Sequence, residues 1–293
     1  MNPEFALDKR LLRRSFENAA AGYAAAAVLQ HEVCRRMLAR LEYIRHAPAA
    51  ILDAGSGTGN VVAALRARYP QATLYALDIA LAMVRRARAR APWWRRMLGR
   101  GVVPVCGDIE RLPLRAAVVG MVWSNLALQW VNDPPCAIAE FRRVLAPGGL
   151  LMFSTFGPDT LKELRAAYQG TDRYTHVNRF IDMHDLGDML VHGGFADPVM
   201  DMEYVTLTYG GVRALMHDLK AIGAHNVTAG RRQGMTARAS LAAVERNYEA
   251  LRRDGRLPAT FEVIYGHAWA PQPRTTADGR PIIPIKVSAR PPR

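Results

Sequence analysis

Short apolar runs, separated by turn residues and by segments with a helical period, recur along the first half of the chain. Five of them predict buried strands: one beginning at Ile51, and those at residues 74–77, 102–106, 118–123 and 150–156. The segments between them place apolar residues on one helical face, as Val61, Val62 and Leu65 do in residues 60–69. Strands that alternate with helices in this way predict a parallel sheet with helices on both faces and right-handed crossovers.

The second half of the chain changes pattern and predicts a last pair of strands. Residues 159–168 and 183–192 are typical of helices, and residues 201–209 alternate like a strand whose partner is 260–265. These strands complete a doubly wound α/β sheet of seven strands, mostly parallel, in which the last strand is antiparallel. The mostly helical stretch between them would hang over the strand ends, and we expect it to be a substrate lid.

The predicted organisation has five parts. They are an N-terminal helical cap at 1–46, an α/β core at 47–209, a helical lid insertion at 210–257, the last strand at 258–270 and a proline-rich tail at 271–293. The cap is interrupted near Gly22, and Phe16 and Tyr23 lie one heptad apart on a common helical face. Tyr23 is then either a core aromatic or a side chain that closes over a ligand at the strand ends.

The candidate binding chemistry begins directly after the first strand. Asp53 is followed by Gly55, Gly57 and Gly59, whose missing side chains let the backbone approach a ligand closely. Asp78 ends the second strand, where nucleotide-binding folds place an acid that hydrogen-bonds ribose hydroxyls. The loop lacks the third glycine of the G-x-G-x-x-G pyrophosphate motif, so no diphosphate is expected. An ordinary tight turn between strand and helix is the alternative.

Two further motifs follow strands, Gly107-Asp108-Ile109 and Ser124-Asn125-Leu126, and Pro147-Gly148-Gly149 predicts a turn from a helix into the fifth strand. With them, residues 45–160 resemble the class I S-adenosylmethionine-dependent methyltransferases, whose fold is Rossmann-like. The resemblance implies that S-adenosylmethionine is the cofactor. Its methionine part would pass the loop from Asp53 to Gly59, its ribose would meet Asp78 and Ile79, its adenine would face Asp108 and Ile109, and Asn125 would approach the methyl donor.

Length and composition limit the class of protein. At 293 residues and 50% hydrophobic, the chain can bury a substantial core, most simply as one domain with an added lobe. No apolar run approaches a membrane span, and the charged N-terminus has no signal core, so we expect a cytoplasmic protein. The cysteines Cys34, Cys106 and Cys136 are scattered, and the histidines match no ligand spacing, so no metal site is expected.

The chain is strongly basic, with a formal net charge of +13, which favours an anionic partner. Most of the 39 basic residues are arginine, so a compositional bias of the source genome is an alternative explanation. Arginines cluster between Arg85 and Arg100, and again at Arg231, Arg232 and Arg238. No nucleic-acid-binding motif accompanies either cluster, so we expect an acidic protein partner rather than a nucleic acid.

Four further patches make the resemblance more specific: residues 124–130, 153–156, 178–180 and 219–224. They resemble the malonyl-[acyl-carrier protein] O-methyltransferases of biotin synthesis, and the similarity extends to about residue 270. It implies methyl transfer to the free carboxylate of a malonyl thioester, with the acidic acyl carrier protein as partner. The ester makes that end apolar, so fatty-acid elongation can build the pimeloyl chain on it.

A malonyl carboxylate is ionised at neutral pH and needs no general base, so the enzyme must chiefly align it with the methyl group. A cation that draws the carboxylate in is expected, and an arginine fork suits it. Arg179 is the first candidate and Lys220 the second, although a solvated surface charge explains either equally well. Gln129, Trp130 and Asn178 are expected to wall the acceptor pocket.

Two other functions stay open. Residues 130–133, 159–165 and 258–265 also resemble a mitochondrial complex I assembly factor, which has a methyltransferase fold and is associated with arginine hydroxylation. A methyltransferase for another small acceptor, such as a quinone precursor, would need a base near the methyl group and a more apolar pocket.

Overall fold

A seven-stranded sheet lies at the centre of the structure, a computed structural model that describes residues 3–90, 101–232, 234 and 238–272. The strands are β1 (Ala50–Ala54), β2 (Thr73–Asp78), β3 (Val102–Cys106), β4 (Val119–Asn125), β5 (Leu145–Phe156), β6 (Ala196–Tyr209) and β7 (Leu257–Trp269). Their order across the sheet is β3-β2-β1-β4-β5-β7-β6. Pairing is parallel from β3 to β5, whereas β7 runs antiparallel to both β5 and β6. The predicted seven-stranded, mostly parallel sheet is therefore confirmed.

Helices cover both faces of this sheet and one end of it. Within the described residues they are α1 (Lys9–Ala19), α2 (Tyr23–Ala26), α3 (Val28–Leu41), α4 (Val62–Arg68), α5 (Leu81–Ala89), α6 (Pro134–Val144), α7 (Lys162–Tyr168), α8 (Met183–His192), α9 (Val212–Ala221) and α10 (Arg238–Glu249). The N-terminal region predicted as one interrupted helix thus contains three, and α1 begins where Asp8 accepts hydrogen bonds from the N–H groups of Arg10 and Leu11.

Two hydrophobic clusters, one on each face, bury the central strands on both sides. Ile51 and Met121 belong to one cluster, and their chain neighbours Leu52 and Val122 belong to the other. All four side chains are essentially inaccessible to solvent. This explains why the strands appear in the sequence as continuous apolar runs rather than alternating ones, since a parallel sheet is covered on both faces.

Three strands, β5, β6 and β7, are longer in the structure than their local sequence pattern predicted. The predicted turn at residues 147–149 lies inside β5, where the pairing with β4 shifts between Val119 and Met121 and Gly148 has a φ of +74°. It is a bulge rather than a turn. The β6 and β7 strands exceed the predicted 201–209 and 260–265 because they pair along almost their whole lengths.

The N-terminal segment is joined to the chain that follows α9. Leu7 and Thr228 form an antiparallel bridge, and the hydroxyl of Ser15 donates to the carbonyl of Gly223 at 2.8 Å. These contacts place α1 and the inserted stretch side by side. Part of the predicted basic cluster lies outside the described residues, namely Arg95, Arg96 and Arg100. The same is true of the tail from residue 273 onward.

None of the helices in the described ranges combines the length and the apolar character that crossing a membrane requires.

Candidate active site

A cavity lies at the carboxyl ends of the central strands, where ligands bind in doubly wound α/β sheets. Seven of the nine residues predicted to bind a cofactor line it: Gly55, Gly57, Asp78, Ile79, Asp108, Ile109 and Asn125. We call it the donor cavity. The other two predicted residues, Asp53 and Gly59, lie behind this wall, and their roles are described below.

Asp78 is held at the tip of β2 by the glycine loop. Its Oδ2 accepts a hydrogen bond from the N–H of Gly57 at 2.9 Å, and its Oδ1 accepts one from the N–H of Ala80 at 2.9 Å. Burial raises the pKa of Asp78 to about 6, although the two N–H donors act in the opposite direction. Each oxygen retains a further lone pair, so the carboxylate can accept the two hydroxyls of a ribose.

Asp53 is the buried acid behind the loop. Its side chain is 2% exposed, and among the described residues its Oδ2 has no hydrogen-bond partner. Burial, and secondarily the nearby charge of Asp78, raise the pKa of Asp53. Two buried acids without a cation between them are costly, so the cavity fits a ligand that brings positive charge. The amino group and sulfonium of S-adenosylmethionine satisfy that requirement.

The glycines of the loop are required for different structural reasons. Gly55 has a φ of +80°, and a Cβ built there would lie 2.3 Å from the Cβ of Ala127. Gly59 has a φ of +78°, and its Cβ would lie 2.8 Å from the Cα of Ala87 in α5. Gly59 therefore serves the packing of the loop against a helix, whereas Gly55 and Gly57 form the cavity wall.

Lys9 in α1 also lines the donor cavity, and no sequence pattern indicated this role. Its Nζ lies 3.1 Å from both carboxylate oxygens of Asp108 and also pairs with Glu110. The ammonium group thus fixes the predicted adenine-facing acid to the N-terminal helix. The two residues are 99 positions apart, and no local pattern connects them.

Tyr23 stands between the donor cavity and a second one. Its ring lies against Gly57, 3.5 Å from where a Cβ of that glycine would be, and it lines both cavities together with Phe16, Leu126 and Trp130. Burial, with a smaller contribution from the charge of Asp78, raises the pKa of the Tyr23 hydroxyl well above its ordinary value. The phenol is therefore a hydrogen-bond donor and not a base at neutral pH.

The second cavity, which we call the acceptor cavity, is mostly apolar. Its volume of about 140 Å³ is close to the ~150 Å³ of an apolar cavity that takes up benzene, so a short acyl group fits. Its polar lining includes the predicted Gln129 and Asn178, together with Gln30, Thr160, His176, Tyr209, Asp218, His225 and Asn226. Among the described residues, no lysine or arginine lines it.

The side-chain amides of Asn125, Gln129 and Asn178 differ in their hydrogen bonding. Asn125 donates to the carbonyl of Gln30 at 3.1 Å and accepts from the hydroxyl of Ser154 at 2.9 Å, so its side chain joins β4 to α3 and β5. Gln129 donates to the carbonyl of Leu126 at 2.7 Å. In contrast, the Oδ1 of Asn178 is buried and has no hydrogen-bond partner in the described chain.

The two cations predicted for the acceptor lie elsewhere. Arg179 is exposed, and its guanidinium carbon lies 5.4 Å from the ring centre of Phe5 in a neighbouring groove. Lys220 is exposed on α9 and does not line the acceptor cavity. Both positions let the charge remain hydrated, whereas burial in an apolar cavity without a partner would be costly.

Comparisons with known proteins bear on the fold and on the family of this chain. Residues 52–153 match the family model described as a methyltransferase domain. The fold resembles the YcgJ protein of Bacillus subtilis, with a TM-score of 0.56 at 15% identity over 83% of this chain and 99% of that one. It also resembles phosphoethanolamine N-methyltransferase 2 of Haemonchus contortus in complex with S-adenosyl-L-methionine, with a TM-score of 0.50 at 16% identity over 81% of this chain and 53% of that one.

Two relatives match almost end to end. The malonyl-[acyl-carrier protein] O-methyltransferase of Gallionella capsiferriformans is 59% identical over 96% of this chain and 97% of its own length. The one from Nitrosospira multiformis is 57% identical over 94% of both chains. This chain therefore belongs to the malonyl-[acyl-carrier protein] O-methyltransferase family of S-adenosylmethionine-dependent enzymes.

Proposed function

We propose that this chain transfers the methyl group of S-adenosylmethionine to the free carboxylate of a malonyl thioester carried by acyl carrier protein. The product is the methyl ester, and the reaction is an early step of biotin synthesis. One observation carries the proposal: a polar cavity suited to the donor and an apolar cavity suited to a short acyl group share a wall at Tyr23.

On the donor side, Asp78 would accept the ribose hydroxyls and Asp108 and Ile109 would face the adenine. Asp53, the buried acid behind the loop, would be favoured in its ionised form by a nearby positive charge. Bound there, S-adenosylmethionine supplies a methyl group on a positively charged sulfur. Gly55 and Gly57 would hold the methionine part, because the absence of side chains there permits close approach.

On the acceptor side, the enzyme has to align the carboxylate with the methyl group and does not have to deprotonate it. A carboxylate is the nucleophile in its ionised form at neutral pH, and Tyr23 retains its proton. Tyr23 then donates a hydrogen bond to the acceptor oxygen and closes the space above Gly57. The apolar walls exclude water, which strengthens that hydrogen bond and favours a near-attack geometry.

The inserted stretch at 210–257 acts as the lid over this site. Leu219, Ile222 and Ala224 line the acceptor cavity, and the carbonyl of Gly223 is tied to Ser15 in α1. A Cβ on Gly223 would lie 3.1 Å from Phe16, which lines both cavities. Opening the lid therefore moves residues next to the methyl donor, and the lid and the N-terminal helices close together.

An arginine face beside the donor cavity is the proposed docking surface for the acidic carrier protein. Arg85, Arg86 and Arg88 on α5 and Arg13 and Arg14 on α1 are exposed, and α1 packs on α5. Raising the salt concentration should reduce the rate with malonyl carrier protein more than the rate with malonyl coenzyme A, because screening weakens attraction between large charged surfaces. Parallel losses in steady-state assays would remove this surface from consideration.

The proposed reaction is tested by incubating the enzyme with S-adenosylmethionine and malonyl carrier protein and measuring the intact mass of the carrier. We expect the mass of one added methylene group on the carrier. Succinyl carrier protein, a quinone precursor and arginine-containing peptides serve as competing acceptors. Methylation or hydroxylation of one of these, with the malonyl carrier unchanged, would contradict the proposal.

A further inference from the structure

A histidine on the loop between α7 and α8 faces the acceptor cavity. His176 lines both this cavity and the adjoining groove that contains Arg179. The loop is fixed next to the cavity because the N–H of Thr175 donates to the carbonyl of Gly230 at 3.1 Å and the side-chain amide of Asn226 donates to the carbonyl of Thr175. The position of His176 is therefore set by one distant segment of the chain, residues 226–230.

Asp172 and Tyr168 orient the imidazole. The Nε2 of His176 lies 2.7 Å from the Oδ1 of Asp172, and the ring stacks on Tyr168 with centroids 3.6 Å apart and planes 10° apart. Side-chain exposure is only 16% for His176 and 11% for Asp172. Within the described residues, the other ring nitrogen, Nδ1, has no hydrogen-bond partner.

Asp172 stays ionised in this arrangement. Burial alone would raise its pKa, but the hydrogen bonds from His176 and from the N–H of Tyr174 outweigh it and lower the pKa of Asp172 below its ordinary value. Arg232 adds positive charge 3.8 Å from the Oδ2. With an acceptor carboxylate on its other side, the imidazole lies between two carboxylates, and as the imidazolium cation it can donate an N–H to each of them.

The acceptor cavity requires such a cation. A malonyl carboxylate entering an apolar space loses its hydration, and that loss is large unless a charge partner is present. No lysine or arginine of the described chain lines the cavity, and Arg179 and Lys220 lie outside its wall. The other histidine there, His225, has a pKa lowered by burial and by Lys220, which disfavours its charged form.

We propose that His176, oriented by Asp172 and Tyr168, is the residue that recognises the carboxylate of the acyl acceptor. This inference rests on the proposed function. It makes His176 a positioning residue that selects dicarboxylic acyl groups over neutral ones. Donation to one carboxylate oxygen leaves the other free to meet the methyl group, so the anchor does not block the nucleophile.

The test compares two ligands that differ only in the carboxylate, malonyl and acetyl coenzyme A. Their affinities are measured by calorimetry in the presence of S-adenosylhomocysteine, so that no transfer occurs. The unmodified chain should prefer the malonyl thioester by about 10- to 100-fold, the contribution of a hydrogen bond to a charged group. His176→Asn should remove that preference and leave the acetyl affinity unchanged, because only the carboxylate contact is lost.

Two further variants separate charge from structure. His176→Lys should retain part of the preference because it restores a cation, whereas Asp172→Asn should reduce it because the imidazole loses its carboxylate partner. His192→Asn changes an exposed histidine on α8 outside the acceptor cavity; it is the matched control and should retain the full preference. Unchanged affinity for S-adenosylhomocysteine confirms that each variant is folded.

The outcomes distinguish this inference from the proposed function. If His176→Asn binds S-adenosylhomocysteine normally and keeps the preference for the malonyl thioester, the role of His176 is wrong while malonyl methylation stands. If the unmodified chain itself shows no preference and does not methylate the malonyl carrier, the proposed function fails and the inference fails with it.

Discussion

At the scale of single residues, two buried acids determine the chemistry of the donor cavity. Asp78 is held by two backbone N–H groups, whereas the Oδ2 of Asp53 lacks a partner in the described chain. Burial raises the pKa of both carboxyl groups. A ligand with positive charge lowers the cost of ionising them, so binding of S-adenosylmethionine and loss of a proton are coupled.

The first prediction concerns pH. Burial raises the pKa of Asp78 to about 6, above its value of about 3.9 in an unfolded chain. Its contribution to the free energy of unfolding is therefore complete below about pH 4 and is lost as the pH rises through about 6. A cationic ligand favours the ionised form, so affinity for S-adenosylmethionine should increase from about pH 5 to about pH 7, with protons released.

Calorimetry in two buffers of different ionisation enthalpy measures that proton release. Asp78→Asn should bind more weakly and show a flatter pH dependence, and Asp188→Asn, an exposed acid on α8, should behave like the unmodified protein. Affinity that rises toward low pH would contradict the assignment of these acids to the donor cavity.

The second prediction concerns Gly55. Gly55→Ala places a methyl group 2.3 Å from the Cβ of Ala127 at a φ of +80°. Strain of this kind costs about 1–3 kcal/mol, and relieving it moves the loop out of the donor cavity. We expect a lower free energy of unfolding in urea and a loss of affinity for S-adenosylmethionine.

Gly187→Ala in α8 is the matched control, because its Cβ would meet only Met200 at an ordinary 3.9 Å. Normal cofactor affinity in Gly55→Ala would show that the loop does not form the binding wall.

At the scale of elements, α1 is joined to the nucleotide-binding half of the sheet through a helix cap. Glu17 accepts hydrogen bonds from the N–H groups of Leu81 at 2.5 Å and Ala82 at 3.0 Å, the first residues of α5. The side chain comes from another helix but satisfies the orphan donors of the first turn and complements the helix dipole. Phe16, next to Glu17 in α1, lines the donor cavity.

The third prediction follows from this cap. Glu17→Ala should lower the free energy of unfolding by about 0.5–2 kcal/mol, the usual effect of losing a cap, and should weaken cofactor binding because α1 lines the donor cavity. Chemical denaturation and calorimetric titration measure the two effects. Glu42→Ala, an exposed glutamate after α3, is the control and should change neither. A stability loss without any change in cofactor affinity would contradict the coupling of α1 to the cavity.

Elements whose signal is local were predictable from the sequence. The first four strands of the sheet and the acids or amides at their ends follow from apolar runs and the residues that close them, and Asp78 and Asn125 lie where that pattern puts them. The lengths of β6 and β7 were underestimated because edge and neighbouring strands extend one another by pairing. Glu17 has no such local signal, since its partners are 64 and 65 residues away.

At the scale of the whole molecule, three distant segments meet above the sheet. The N-terminal residues 4–8 pair with residues 226–230, and the latter hold the loop that carries His176. The donor cavity, the acceptor cavity and the lid therefore share one hydrogen-bonded support. Because His176 and Asp172 are four residues apart, their pairing could have been predicted from the sequence. The position of His176 at the cavity, however, depends on these long-range contacts.

The same dependence on long-range contacts explains why the two predicted acceptor cations do not line the acceptor cavity. Arg179 and Lys220 were selected by charge and by neighbouring motif, but which side of the wall a long side chain occupies depends on tertiary packing. The structure leaves both exposed. The apolar character of the acceptor cavity, to which residues from Phe16 to Phe261 contribute, was not encoded in any single stretch.

Whether the donor and acceptor cavities are separate can be tested by filling only one of them. Ala224 lines the acceptor cavity and not the donor cavity, so Ala224→Trp should occupy the acyl space; Ala229→Trp, at an exposed site nearby, is the control. The decisive measurement is the rate of methyl transfer to malonyl carrier protein at saturating S-adenosylmethionine, with cofactor affinity determined on the same samples. We predict that Ala224→Trp binds the cofactor like the unmodified chain and transfers at least about 100-fold more slowly, since misplaced reactants lose that much. Undiminished transfer by this variant would contradict the two-cavity arrangement.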